Sequence, residues 1–164
     1  MAAPHQTMPW PVPTPGAPLH ALTIPEPLAS ATLDCGRDVD SRPWHAAPHH
    51  TAQARRLLNQ PLLIHAGSRF ERHWNDWVYR HGGQRYWPTT VTPSAVIGVV
   101  TLAAVDEYSE SPWYEPGRIA LTFRHPMRFD VPIPVRGQQG LWVPDVLVQE
   151  RVRRQMQFQL SRAS

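Results

Sequence analysis

The sequence predicts one α+β domain behind a proline-rich leader, and three observations carry that expectation. Apolar runs of strand length, bounded by Gly and Pro, recur at 21–24, 62–66, 95–105 and 119–123. Helical periodicity is good over 68–79, and the chain over 145–160 also reads as a helix, largely solvated. The chain has 164 residues, 41 % of them apolar, which suits one core and not two.

Taken in order, residues 1–18 hold Pro4, Pro9, Pro11, Pro13, Pro15 and Pro18 with little that could pack, so they read as an extended or disordered leader. The domain spans 19–164. It opens with a strand over 21–24, and Pro25 sits near the first position of a short helix that runs to about Leu33. A short strand is expected over 39–42. The long polar loop that follows includes two helical turns over 51–59, with Thr51 as N-cap. Leu62 to Ala66 is a buried strand. Ser68 then caps a helix to about Tyr79 whose inner face carries Phe70, Trp74, Trp77 and Val78. Residues 95–105 form the longest strand. Two further strands are expected over 119–123 and 129–135, the second an edge because of Pro132 and Pro134. After the turn at Pro144 a helix runs to about Leu160, its many Arg and Gln residues reading as a solvated face.

Composition narrows the chemistry. All 16 basic residues are Arg, so no lysine amine is present as nucleophile, base or Schiff-base former. The net charge of +3 permits nucleic-acid contact without demanding it. A single Cys excludes an intramolecular disulfide and fits a reducing compartment. No run reaches the roughly 18 apolar residues of a membrane span, and the first residues lack the pattern of a signal peptide. The expectation is a cytosolic protein without membrane attachment.

The richest stretch is Gly36-Arg37-Asp38-Val39-Asp40-Ser41-Arg42-Pro43-Trp44. With Val39 facing a core on an extended strand, Asp38 and Asp40 face the other way. Two guanidiniums, carboxylates and an aromatic in so short a span suit a planar, polar, anionic ligand. This block, with Leu62 to Phe70, Ser94 to Leu102 and Val135 to Trp142, resembles the sequence signature of the ASCH domain, a member of the PUA-like superfamily. The four blocks come in that family's order. Arg37 stands where Lys is usual, Asp40 where Glu is usual, Glu26 where Gln is usual and Ser68 where Lys is usual; Arg42 and Trp44 match outright.

The resemblance implies a PUA-like mixed β-barrel with flanking helices, and a cleft between the first helix and the barrel that holds RNA, single-stranded nucleic acid or a nucleotide. The residues expected to line it are Glu26, Arg37, Asp40, Arg42, Trp44, His65, Ser68 and Arg69. Arg37 and Arg42 read as phosphate or base-edge donors, or as partners of Asp40 or Glu26 that brace the barrel mouth. Asp40 reads as an acceptor for an exocyclic amine or as the group that orients an Arg. Ser68 to Phe70, at an expected helix start beside Arg69, form the expected phosphate subsite.

Two other functions stand beside binding. Some ASCH-like proteins are ribonucleases, for which His65, Arg37 and Asp40 are the catalytic candidates, although a lone strand histidine also reads as a satisfied structural residue. Others are amidohydrolases that act on acylated cytidine with a Lys, a Thr and a Glu, a mechanism this lysine-free chain cannot run intact. A third reading is an adaptor that recruits a partner through the leader. The spacing of His45, His49 and His50 is weak metal-site geometry with no carboxylate, so no metal and no cofactor are expected. Tyr86 and Trp87 read as a base platform or as core cover, and Cys35 has no evident base partner.

Overall fold

The computed structural model describes residues 17–162, so nearly all of the expected leader lies outside them. Six strands form one sheet: β1 (His20–Glu26), β2 (Val39–Arg42), β3 (Pro61–Phe70), β4 (Ala95–Asp106), β5 (Ile119–Pro134) and β6 (Leu141–Trp142). The helices are α1 (Leu28–Asp34), α2 (Pro48–Arg56), α3 (Asn75–Gly82) and α4 (Val146–Arg162). The strand order is β2-β5-β4-β3-β1-β6, with β1 and β3 parallel and the other pairs antiparallel. The α+β class expected from the sequence is the observed one. Among the described residues no helix is long and apolar enough to cross a membrane.

The sheet curls into a barrel, and one side chain shows it. In a flat sheet β2 and β1 would stand four strand spacings apart, roughly 19 Å. Yet Arg42 of β2 donates from Nη2 to the Thr23 carbonyl of β1 at 2.9 Å. The sheet therefore bends round until its ends meet through a guanidinium, not through a backbone ladder.

Both faces of the curled sheet are apolar, which is why its strands read as continuous hydrophobic runs. Leu22, Ile24, Leu62, Ile64, Ile97 and Leu102 face inward with Leu28 and Leu33 of α1. Their neighbours Ala21, Leu63, Val96 and Val99 face outward, under Val148, Val152 and Met156 of α4. Period-two alternation thus builds two cores from one sheet. Gly98 is the position that lets α1 settle: a Cβ there would stand 2.5 Å from Leu33 Cδ1 and from the Met127 carbonyl.

Several boundaries differ from the sequence reading. β3 continues to Phe70, so no helix begins at Ser68. Its partner β1 keeps offering pairing as far as Glu26 opposite Phe70, across a bulge, and that pairing overrides the helical period. Helical turns begin only at Arg72, and α3 carries Val78 into the core with Trp74 and Trp77 half-buried. α2 starts at Pro48, a residue suited to the first helical position, and Thr51 is buried within it instead of capping it. The two late strands are one strand, β5, whose shifting register against β4 and left-handed His125 (φ 53°) absorb the Arg124-His125-Pro126 irregularity.

The helix at the C-terminal side keeps most of its arginines in solvent, as expected, but three of its four glutamines are turned inward. Gln149, Gln155 and Gln159 cap backbone groups beneath them. Gln149, 5 % exposed, accepts from the Leu19 N–H at 2.9 Å and donates to the Leu19 carbonyl at 2.7 Å. Gln159 accepts from the Asp130 N–H at 3.0 Å and donates to the Arg128 carbonyl at 2.9 Å. Gln155 does the same for both groups of Val131. A primary amide matches a peptide's donor and acceptor, so each glutamine stands in for one residue of a missing strand and closes an edge open to another chain. Gln159→Ala should cost about 1–3 kcal/mol, because it leaves two partly buried backbone groups without the partner that shields them. Gln157→Ala, on the exposed side of the same helix, should stay within about 0.5 kcal/mol. Urea denaturation of the two variants measures the difference.

Candidate functional site

The Gly36–Trp44 block forms a buried charge relay. Gly36, at φ +70°, takes the left-handed turn that leaves α1. Arg37, 2 % exposed, donates from Nη1 to Thr32 Oγ1 at 3.1 Å and from Nη2 to Asp40 Oδ1 at 2.8 Å. Arg42 donates from Nε to Asp40 Oδ2 at 2.5 Å and, as above, to Thr23. Burial pushes the Asp40 carboxyl up, but the Arg42 and Arg37 guanidiniums on either side outweigh it and hold it below the usual carboxylate range. Of the bracing partners expected for an arginine, Asp40 takes both arginines and Glu26 takes neither.

Glu26 lies apart from this relay. It is 1 % exposed and accepts from the Ser30 N–H and the Ser30 hydroxyl, both at 2.6 Å, at the start of α1. Burial pushes its carboxyl up. Glu26, Arg37 and Asp40 therefore correct the expected lining: their polar atoms are turned into the protein, and none of them lines the cleft.

The cleft itself measures about 720 Å³ and is walled by Thr23, Arg42, Pro43, Trp44, Ala47, His50, His65, Gly67, Ser68, Ser94 and Arg136 to Gly140. Of the expected residues it gathers Arg42, Trp44, His65 and Ser68. Arg69 is exposed and outside the lining, because it alternates with Ser68 along β3. With no helix starting there, the expected phosphate subsite at Ser68 to Phe70 is not formed. All four sequence blocks nonetheless contribute to one cavity.

His65 is spent on structure. Trp142 donates from Nε1 to Thr23 Oγ1 at 3.0 Å, and the Thr23 hydroxyl lies 3.2 Å from His65 Nδ1. His65 Nε2 lies 2.7 Å from the Val135 carbonyl, which can only accept, so the proton belongs on Nε2 and Nδ1 accepts from Thr23. Burial lowers the ring's proton affinity, which keeps it neutral. With both nitrogens engaged, the ring has no free position from which to exchange protons with a bound substrate. Gly137 seats the following loop against this ring: a Cβ there would fall 2.5 Å from His65 Cε1.

Sequence reasoning missed Thr23, Ser94 and the Arg136–Gly140 loop as lining, and weighed His50 only as a metal ligand. Ser94 is held at φ 51°, a conformation costly for a residue with a Cβ, and nothing in the local sequence announces it. His50 stacks on Trp44 at 5.3 Å and 28° and so covers the tryptophan. Among the described residues no group of three or more His, Cys, Asp or Glu is placed to hold a metal. Tyr86 is 5 % exposed and its hydroxyl bonds to Asp34, so only Trp87 of that pair faces solvent. Burial pushes the Cys35 thiol up, away from a reactive thiolate.

In fold, the chain is similar to two solved structures of the ASCH protein of Zymomonas mobilis. One, of a point mutant, is 14 % identical with a TM-score of 0.47, covering 82 % of this chain and 94 % of that one. The other, without the mutation, is 14 % identical with a TM-score of 0.46, covering 82 % and 93 %. No family model matches the sequence, and no curated protein does.

Two buried carboxylates give opposite pH signatures. The Asp40 contribution is present above its unfolded value near 3.8 and is lost as pH falls through the lower folded value. Asp40→Asn should therefore destabilise by about 3–5 kcal/mol at pH 7, leaving the buried Arg37 and the half-buried Arg42 without a counter-charge. For Glu26 the sign reverses: stability is fully present below the unfolded value near 4.5 and is lost as pH rises through the folded one. Glu26→Gln can accept from the Ser30 N–H through Oε1 and donate from Nε2 to the Ser30 hydroxyl, as the protonated acid would, so it should raise the melting temperature at pH 7 and leave it unchanged near pH 4. Thermal melts across this pH range read out both.

Proposed function

We propose that this protein is a binding module of the ASCH type whose cleft takes a segment of single-stranded nucleic acid or a nucleotide. The observation that carries the reading is electrostatic: a cleft of nucleotide size is lined by Arg42 and Arg136 and by no carboxylate. Around these cations stand the hydroxyls of Ser68 and Ser94 and the amides of Gln138 and Gln139, groups that hydrogen-bond sugar and phosphate oxygens. The four blocks that resemble the ASCH signature converge on this cavity, which supports the same reading.

Binding ranks ahead of hydrolysis because of what faces the ligand. An acid–base mechanism needs a titratable group within hydrogen-bond reach of the reacting atoms. None of the three expected catalytic groups is free for this: Asp40 and Arg37 are buried against each other, and His65 has both ring nitrogens bonded. His50, which also lines the cleft, is stacked on Trp44 with its Nδ1 buried. The adaptor reading rests on the leader, which lies outside the described residues.

Fluorescence anisotropy with a short labelled oligoribonucleotide tests the reading. Binding should weaken with salt, with a slope of log K against log salt of roughly −1.4 for two phosphate contacts on a single strand. Ser68→Glu places an anion at the exposed rim and should weaken binding by at least about tenfold through like-charge repulsion. Gln157→Glu, on the far side of α4, should not. Salt-independent binding, or equal loss in both variants, would place the interface elsewhere.

A further inference from the structure

Resting on that reading of the cleft, we infer that Arg42 and the Arg136–Gly140 loop together grip a phosphate group, and that the base attached to it goes unread. Three features of the loop point to an anion. Arg136 is exposed and its guanidinium has no hydrogen-bond or ion-pair partner among the described residues. The backbone N–H groups of Arg136 to Gly140 donate to no protein acceptor there either. Gly140, at φ +69°, allows the left-handed turn in which consecutive N–H groups can converge on one acceptor. Across the cleft Arg42 is already oriented. Its Nε is fixed on Asp40 and its Nη2 on the Thr23 carbonyl, which leaves Nη1 to donate without first ordering the side chain.

The same cavity is poor at reading a base. Trp44 is 7 % exposed and lies under His50, so it offers no open face for stacking. Trp142 is buried, and its indole N–H is spent on Thr23. Both nitrogens of His65 are committed. No carboxylate lines the cleft to accept from an exocyclic amine. The exposed aromatics, Tyr79, Trp87, Tyr108 and Phe158, are not part of it. What remains is a cationic pocket with backbone donors, hydroxyls that donate or accept alike, and the exposed amides of Gln138 and Gln139, which no protein partner among the described residues orients and which can turn either an oxygen or an NH2 to a base edge. The ligand class is a phosphorylated nucleoside of any base, free or within a strand.

Calorimetric titration of the full chain with AMP, CMP, GMP and UMP, with the matching nucleosides, and with inorganic phosphate tests this. The four monophosphates should bind within about fivefold of one another, and each nucleoside at least about tenfold more weakly, as loss of a charge-assisted contact requires. Inorganic phosphate should compete with the monophosphates. Arg136→Gln should weaken the monophosphates by about tenfold, leave nucleosides unaffected and leave the melting temperature unchanged, since this side chain holds nothing else. Nucleosides binding as tightly as nucleotides, a preference of more than tenfold for one base, or an Arg136→Gln variant that binds like the wild type would each overturn it. Should oligoribonucleotides bind while monophosphates show no dependence on Arg136, the phosphate grip alone falls. Should neither bind, the nucleic-acid reading of the cleft falls with it.

Discussion

The structure depends on one buried carboxylate, Asp40, held between Arg37 and Arg42. Through these two guanidiniums it joins parts of the chain that the backbone ladder leaves apart. Arg37 ties it to Thr32 of α1, and Arg42 ties it to Thr23 of β1. Thr23 in turn holds Trp142 of β6 and His65 of β3. A polar network at this depth adds little net stability over an apolar filling of the same volume, yet removing one member is costly. Its contribution is geometric: it sets where the curled sheet closes.

That closure creates the cleft. Arg42 belongs to the relay and to the cavity wall, so the group that closes the barrel also presents a guanidinium at its mouth. The Arg136–Gly140 loop reaches the opposite wall because Gly137 lies flat against His65. Elsewhere the fold stays closed by similar means. β6 is two residues long, and the free half of β5 is paired with glutamine amides of α4 in place of another strand. Short or capped edges leave little backbone on which a second chain could add.

The architecture was legible in the sequence where periodicity and punctuation agree. The runs around Leu62, Ala95 and Ile119 are strands, and the chain after Pro144 is a helix, as expected. Misreadings came where tertiary pairing outweighs local pattern. Ser68 looks like a helix cap, but β1 continues beside it and keeps it in a strand. Arg124-His125-Pro126 looks like a turn, but β4 is long enough to hold both halves of one strand in register. The glutamines of α4 look like solvent-facing residues, since composition does not show that unpaired peptide groups lie beneath them. At the site, charge was legible and orientation was not. The Gly36–Trp44 block announces arginines and carboxylates, but not that Asp40 takes one donor from each guanidinium and turns Arg37 into the protein. The Arg-Gly-Gln-Gln-Gly loop stood out only as a resemblance, and nothing in its pattern announces that it walls the cleft.

The central claim is that ligand meets the cleft wall and not the buried relay behind it. A heteronuclear NMR titration of isotopically labelled protein with a short single-stranded oligoribonucleotide addresses this residue by residue. The account predicts amide shifts concentrated in Arg42 to Trp44, Gly67 to Ser68 and Arg136 to Gly140, with Arg37 and the Leu28–Asp34 helix unmoved. Shifts centred on Arg37 and that helix, or on the exposed face of α4, with the Arg136–Gly140 loop silent, would contradict it.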